Sequence, residues 1–103
     1  MALRQYSSAV TVGTPIEYTL NSFYSPITIV LIPGNGGTMK LEYKVVDDSN
    51  WVTSSDGTVN SRTEIVIESP TRVLRFTATT TDGRVEMIRM WIRYRRINQF
   101  NSI

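Results

Sequence analysis

The feature that most constrains this chain is the alternation of apolar and polar side chains with a period of two. Residues 38–46 show it most clearly. Alternate positions of this segment carry the apolar side chains Met39, Leu41, Tyr43 and Val45. The positions between them carry the charged side chains Lys40, Glu42 and Lys44. Because successive side chains of a strand point to opposite faces, this pattern predicts a strand with one buried and one solvated face.

Further segments of this kind follow at short intervals, and none shows a helical pattern over the ~12 residues that an ordinary helix needs. The predicted strands are residues 9–12, 16–20, 27–32, 38–46, 61–68, 73–79 and 84–95. About seven to eight short strands separated by turn signals are typical of layered or closed all-β folds. We therefore expect an all-β chain that forms an antiparallel β-sandwich or partly closed barrel, jelly-roll or immunoglobulin-like. Residues 1–96 are predicted to form this single domain, and residues 97–103 a C-terminal arm.

The turn signals also predict which strands pair. The glycine-rich segment 33–37 favours a chain reversal and predicts a β-hairpin between residues 27–32 and 38–46. Asp82 and Gly83 form a dipeptide that is favoured in hairpin turns. Because residues 27–32 are apolar on both faces, we expect a second sheet or a neighbouring subunit to cover the second face.

The last predicted strand changes phase near its middle. Val85 and Met87 share one phase, and the opposite phase is occupied by Ile88, Met90, Ile92 and Tyr94. A shift of one residue moves the apolar set to the other face unless a bulge intervenes. The sequence therefore predicts a bulge or sheet switch near Met87 and Ile88. The alternative is that Met87 packs inside a sandwich while residues 88–94 present their apolar row to another chain.

Positive charge is concentrated at the C-terminal end. Residues 84–103 hold five arginines and one glutamate, a net +4, and residues 1–83 hold six basic and eight acidic groups, a net −2, which together give +2. Residues 89–96 fit three interpretations: a solvated strand face, a protein interface, or a nucleic-acid site of arginine and aromatic rings. The near-neutral total charge argues against nucleic acid, because affinity for phosphate depends on the number of cations engaged.

We expect a protein-contact surface near both ends of the chain. Its predicted residues are Met90, Trp91, Ile92, Tyr94, Arg95, Arg96 and Phe100, with Leu3 and Tyr6 as a second patch. In a free tail the large apolar residues would be exposed to water. Exchange of such an arm between subunits would bury them and is a low-cost route to symmetric assemblies. A homo-oligomer, dimer or trimer, is therefore expected.

The chain contains no histidine and no cysteine. This excludes a Ser-His-Asp triad, a thiol nucleophile, a zinc finger and a disulfide framework, and we expect neither an enzyme nor a cofactor. Asp47, Asp48 and Asp56 are of the type that binds calcium, but their spacing matches no established loop, so no metal site is assigned. Arg75 is expected to pair with an acid on a neighbouring strand, and Trp51 to close one end of the sandwich. No apolar stretch approaches the ~18 residues of a membrane span, so no membrane partner is expected.

The middle of the chain resembles a pattern found in small virion proteins of tailed phages. The matching segments are residues 36–43 (GGTMKLEY), Trp51, residues 56–59 (DGTV) and residues 69–77 (SPTRVLRFT). The pattern joins Gly-Gly-Thr and Glu-Tyr to a tryptophan, a Gly-x-Val step and a Leu-Arg-Phe-Thr run after a proline. The resemblance covers about residues 27–88. Proteins of this kind serve as capsid decoration, cement or staple proteins, or as other small virion components.

The resemblance implies a virion structural protein that binds across adjacent major capsid subunits and stabilises the capsid. It implies synthesis in the host cytoplasm and a final position on the capsid surface. The alternative is a carbohydrate-binding or host-receptor-binding β-sandwich module of a phage tail or fibre. In that case Trp51, Tyr24 or Trp91 would stack on a sugar.

Overall fold

Seven strands form where the sequence alternates. The computed structural model describes residues 6–45 and 50–92, and for residues 88–92 it describes the backbone only. The strands are β1 (Tyr6–Val10), β2 (Ile16–Ile32), β3 (Thr38–Val45), β4 (Val52–Val59), β5 (Thr63–Ile67), β6 (Thr71–Thr79) and β7 (Gly83–Ile92). Every pairing between them is antiparallel, and the described residues contain no helix. The predicted all-β class is confirmed.

The strand β2 is shared by two groups of strands. Its first half pairs with β6, and its second half pairs with β5 and β7. The sheet continues from β6 through β3 to β4, and from β7 to β1. We call the first half of β2 with β6, β3 and β4 the first arm. We call the second half of β2 with β5, β7 and β1 the second arm.

Between the two arms the strand β2 is irregular. Its register shifts between Thr19 and Tyr24 against β6, and between Tyr24 and Ile27 against β7. The peptide bond between Ser25 and Pro26, which is cis, lies in this stretch. Extra residues of this kind bend a strand, and here they lie where β2 leaves one arm and enters the other.

The two arms enclose one hydrophobic core. The first arm contributes Met39, Leu41, Leu74 and Phe76, and the second arm contributes Ile27, Ile29, Ile67 and Met87 to the same buried cluster. The arms also meet directly, since a Cβ atom placed on Gly83 of β7 would lie 2.5 Å from Sδ of Met39 in β3. Two sheet layers that pack their apolar faces on one core form a β-sandwich. The chain is thus an antiparallel β-sandwich whose layers are arms of a single sheet.

The predicted hairpin between residues 27–32 and 38–46 is wrong in its pairing. The strand β3 pairs with β4 and β6, whereas residues 27–32 pair with β5 and β7. The glycine-rich turn at 34–37 therefore carries the chain from one arm to the other. The bend at Thr81 and Asp82 does the same, because β6 and β7 lie in different arms. A turn signal marks where the chain reverses and leaves the pairing partner undetermined.

Two further differences concern the strands themselves. The predicted strands 16–20 and 27–32 are the two halves of β2, and β4 was not predicted. The strand β4 is polar, and of its residues only Ser54 and Val59 are buried. It therefore lacks the apolar alternation that identifies a strand in a sequence.

The predicted irregularity in the last strand is confirmed as a β-bulge. Arg89 of β7 lies opposite Thr28, and Met87 lies opposite Ile29. Two neighbouring residues of β2 thus face two residues of β7 that are not neighbours, so Ile88 is the extra residue. A bulge of one residue accounts for the change of phase that the sequence shows at this position.

The second apolar face of residues 27–32 is covered within the chain. Val30 alternates with the core residues Ile29 and Leu31, yet its side chain is fully buried. Its cross-strand neighbours are Glu64 on β5 and Glu86 on β7. A neighbouring subunit is therefore not required to bury this side chain.

The connections between the arms pack against one another at one end of the sandwich. Gly34 and Gly37 lie so close to the bend between β6 and β7 that added Cβ atoms would collide with Asp82 and Thr81, respectively. The N–H of Val12 donates a hydrogen bond of 2.9 Å to Oδ1 of Asp82. Glycine is required at this end because the backbones approach closely.

We expect Gly37→Ala to destabilise the domain by about 2–3 kcal/mol, in the range of overpacked cores. The new Cβ would lie 3.0 Å from both the carbonyl oxygen of Thr79 and the amide nitrogen of Thr81, and these backbone atoms cannot rotate away. Urea unfolding followed by tryptophan fluorescence measures the change.

Gly36→Ala is the matched control. Gly36 has a φ of 80° but no atom within 4 Å of its Cβ position, so only the conformational cost of about 1–2 kcal/mol applies. Equal destabilisation by the two variants would contradict the close packing of Gly37 against the bend.

Candidate functional site

A cluster of charged and aromatic side chains lies on the outer face of the first arm. Arg75 of β6 lies between Leu74 and Phe76, which are fully buried in the core, so alternation turns its side chain outward. It lies opposite Glu42 of β3 in the ladder. Its Nε and its Nη2 are each 2.9 Å from Oε1 of Glu42. The prediction that Arg75 pairs with an acid on a neighbouring strand is confirmed.

The ring of Trp51 is the second contact of this arginine. Cζ of Arg75 lies 4.1 Å from the centroid of the Trp51 ring, and Nζ of Lys44 lies 4.8 Å from it. Both distances are within the range of cation–π attraction. Trp51 therefore covers cations on the outer face, and the expectation that it closes one end of the sandwich is wrong. We call Lys40, Glu42, Lys44, Trp51 and Arg75 the Arg75 cluster.

The carboxylate of Glu42 is the centre of the Arg75 cluster. Glu42 is 9% exposed. The hydrogen bond from the Arg75 guanidinium lowers the pKa of Glu42 below its ordinary value of 4.5; burial opposes this change, and the charges of Arg75 and Lys40 add to it. Nζ of Lys40 lies 3.9 Å from the same carboxylate oxygen. Two cations, Arg75 and Lys40, thus lie beside one buried anion, and Lys44 lies over the Trp51 ring.

The predicted docking residues fall mostly outside the described part of the chain. Met90, Trp91 and Ile92 are the last residues of β7, and their backbones pair with the irregular part of β2, Met90 opposite Ile27 and Ile92 opposite Tyr24. The remaining residues of the C-terminal set, together with Leu3, lie outside the described residues: Tyr94, Arg95, Arg96 and Phe100. Their role in binding stays a prediction.

Tyr6 of the second predicted patch contacts its own chain. Its ring stacks on the ring of Tyr18, with the centroids 4.3 Å apart and the planes inclined by 23°. The stack joins β1 of the second arm to β2 in the first arm, and both rings pack against the core. Tyr6 therefore helps to hold β1 in place, and whether it also contacts a partner stays a prediction.

Two of the three rings proposed to stack on a sugar are already in contact with the protein. The Tyr24 side chain is 1% exposed, and its hydroxyl donates a hydrogen bond of 2.9 Å to Oδ1 of Asn21. The proposal that Tyr24 stacks on a sugar is therefore wrong. The Trp51 ring lies against Arg75 and Lys44, which compete with any sugar for it. For Trp91 the structure describes the backbone alone.

A shallow depression lies beside the irregular part of β2. It has a volume of about 180 Å³ and is lined by Asn21, Ser22, Phe23 and Arg72. The guanidinium of Arg72 lies 5.4 Å from the centroid of the Phe23 ring. Pockets that enclose organic ligands measure ~300–1,000 Å³, so this depression is too small to enclose one.

The acidic side chains do not gather into a metal site within the described part of the chain. These residues contain no group of three or more acidic side chains placed to hold an ion. Asp56 is exposed on β4, and Asp47 and Asp48 lie outside the described residues. Nor does any helix of sufficient length and apolar character to cross a membrane occur in the part of the chain that the structure describes.

The chain was compared with known proteins. No protein-family model matches it. No curated protein matches it either.

We expect Glu42→Gln to lower the free energy of unfolding by about 1 kcal/mol at pH 7, because the charged hydrogen bond to a partly exposed Arg75 is lost. Since the folded pKa of Glu42 is lowered, its stabilisation is fully present above the ordinary value of 4.5 and is lost as the pH falls through the folded pKa. The difference between the native chain and the variant should therefore shrink on acidification. Urea unfolding at a series of pH values between 7 and about 2.5 measures it.

Glu64→Gln is the control for this prediction. Glu64 is exposed on β5, and surface substitutions of this kind stay within about 0.5 kcal/mol. A loss of stability in Glu42→Gln that is independent of pH, or equal to that in Glu64→Gln, would contradict the role assigned to the ion pair.

Proposed function

We propose that the chain is a structural protein of a tailed-phage virion that decorates the capsid by binding across adjacent major capsid subunits. The main support for the proposal is the position in the fold of the segments that resemble phage virion proteins. Residues 36–43 and 69–77 contain most of β3 and β6, which are neighbouring strands in register, with Leu41 opposite Phe76 and Glu42 opposite Arg75. Trp51, the third element of the pattern, contacts Arg75.

This placement supports the resemblance because separate sequence motifs meet in one structural unit. Trp51 lies just before β4, which pairs with β3, and its ring contacts Arg75 of β6. The shared pattern thus describes the centre of the first arm. The predicted docking residues near the ends of the chain lie outside that pattern, so the resemblance does not bear on the docking surface.

The proposed mechanism is mechanical and needs no catalytic step. A ligand that binds the intact shell and not the opened one stabilises the intact shell by about 2.7 kcal/mol per site at a hundredfold excess over its Kd. Many copies on one shell add such contributions. The sandwich supplies a support in which both arms share one core, so a load on its edges is borne by the whole domain.

The predicted docking surface matches the chemistry of protein interfaces. Aromatic residues, methionine and arginine are enriched in such contacts, and the predicted C-terminal set holds Met90, Trp91, Ile92, Tyr94, Arg95, Arg96 and Phe100. The net charge of +4 on residues 84–103 suits an acidic partner surface. The major capsid protein is the proposed partner.

The location of the protein is tested on virions of the phage that encodes it. We expect mass spectrometry of purified particles to detect the chain and electron cryomicroscopy to show an extra β-domain over the joints between capsid subunits. Finding the chain on the tail or a fibre would favour the receptor-binding alternative. Finding it in no particle would refute the proposal.

The docking segment is tested by deleting residues 95–103. The deletion leaves all of β7 (Gly83–Ile92) in the chain, so we expect an unchanged thermal melting curve. We expect at least a tenfold loss of affinity for purified shells, which is about 1.4 kcal/mol, measured by cosedimentation. Undiminished binding by a folded truncated chain would show that the segment is not the docking surface.

A further inference from the structure

Three strands lack a partner strand along the whole of one edge among the described residues. They are β1 and β4 at the two ends of the strand order, and β5, which pairs with β2 alone. An open edge presents unpaired N–H and C=O groups that accept a strand from another chain. Proteins blunt such edges with bulges, charged side chains, proline or short length unless the edge has a partner.

The edges of β4 and β5 carry these protections. In β4, Thr53 and Thr58 lie opposite Glu42 and Lys40, so the four residues between them bulge out of the ladder. Gly57 within this bulge has a φ of 64°. The strand β5 is five residues long, carries the exposed Glu64 and is followed by the exposed Glu68. Neither edge offers a regular, uncharged ladder to another strand.

The described edge of β1 carries no bulge, no charged side chain and no proline. Its sequence, Tyr-Ser-Ser-Ala-Val, contains no charge, no proline and no glycine. Its ladder with β7 runs without a register shift from Tyr6 opposite Met87 to Val10 opposite Gly83. Ser7 and Ala9 are exposed on one face of the strand, where the guanidinium of Arg84 in β7 donates a hydrogen bond to Oγ of Ser7. The described residues of β1 are therefore themselves uncharged, and their ladder is regular.

The same neutrality makes β1 complementary to itself. In a two-fold antiparallel pair centred on Ser8, Ser8 lies opposite Ser8 of the second copy. Ser7 then lies opposite Ala9, and Tyr6 lies opposite Val10. No like charges of β1 come to lie opposite each other, which would be destabilising. We propose that β1 pairs antiparallel with β1 of a second copy of this chain about a two-fold axis at Ser8, joining two sandwiches through one continuous sheet.

This inference rests on the homo-oligomer that the sequence predicts for the proposed virion protein, and it names the interface. It does not require the chain to be part of a virion. The stack of Tyr6 on Tyr18 supports it, because the stack fixes the first residue of β1 in the chain. An edge strand that is already held in place loses less conformational entropy when a partner strand adds to it.

The test uses the full chain, whose lack of cysteine allows a single thiol to be placed. Light scattering should give a mass of about 23 kDa, twice the 11.7 kDa of one chain. In Ser8→Cys the two thiols lie opposite each other across the axis, so a short bismaleimide should join them. We expect crosslinking at least roughly tenfold faster than in a control variant, because paired thiols react at a millimolar effective concentration.

Ser55→Cys is that control, since Ser55 is exposed on the bulged edge of β4. A second variant, Ser8→Lys, sets two ammonium groups against each other at the axis and should convert the protein to a folded monomer. Ser55→Lys should leave the mass unchanged.

A native chain that is monomeric at about 100 µM, where dimers of micromolar Kd are populated, would overturn both the β1 pairing and the homo-oligomer. A dimer in which the Ser8→Cys variant crosslinks no faster than the Ser55→Cys variant, or that survives Ser8→Lys, would overturn the β1 pairing alone. Neither result bears on whether virions contain the chain, so failure of this inference and failure of the proposed function are distinguished.

Discussion

The fold depends on one strand that belongs to both layers of the sandwich. The strand β2 (Ile16–Ile32) hydrogen-bonds to β6 with its first half and to β5 and β7 with its second half. The two arms are therefore linked by one continuous strand as well as by the shared core. The irregular stretch between Thr19 and Ile27 lets β2 change direction while both halves remain paired, as bulges do in bent strands. A domain built in this way suits a role in which load passes between its edges.

Local alternation predicted the class of fold and most strand faces, because burial on one face of a strand leaves a period of two in the sequence. The bulge at Ile88 was predicted for the same reason, since it interrupts that period. Strand pairing was not predictable in this way. The turns at 34–37 and 81–83 connect different arms, and only the folded chain specifies which strand lies beside which. Thr80, with a φ of 79°, takes a conformation that no sequence rule assigns to threonine.

In the Arg75 cluster, too, the face of a side chain was predictable from the sequence and its partner was not. Because Arg75 lies between the apolar residues Leu74 and Phe76, the sequence predicts that its side chain faces outward and pairs with an acidic side chain. The identity of Glu42 as its partner follows from the register of β3 against β6. Trp51 precedes β4, which was not predicted because its sequence is polar. The alternation of residues therefore could not predict on which face of the sheet Trp51 lies. Tyr24 lies in the irregular stretch of β2, where alternation no longer identifies a buried face.

The two proposed contact surfaces, the C-terminal segment and the edge of β1, differ in charge and therefore suit different partners. Residues 84–103 carry a net charge of +4, so two copies brought together through this segment would repel each other, and an acidic protein is the better partner. The described residues of β1 carry no charge, so two copies of this strand can pair without like charges lying opposite each other. Self-association and binding to a different protein are thus assigned to separate surfaces. On this proposal, a dimer joined at β1 leaves two arginine-rich segments for neighbouring capsid subunits, and the second attachment is strengthened by the first.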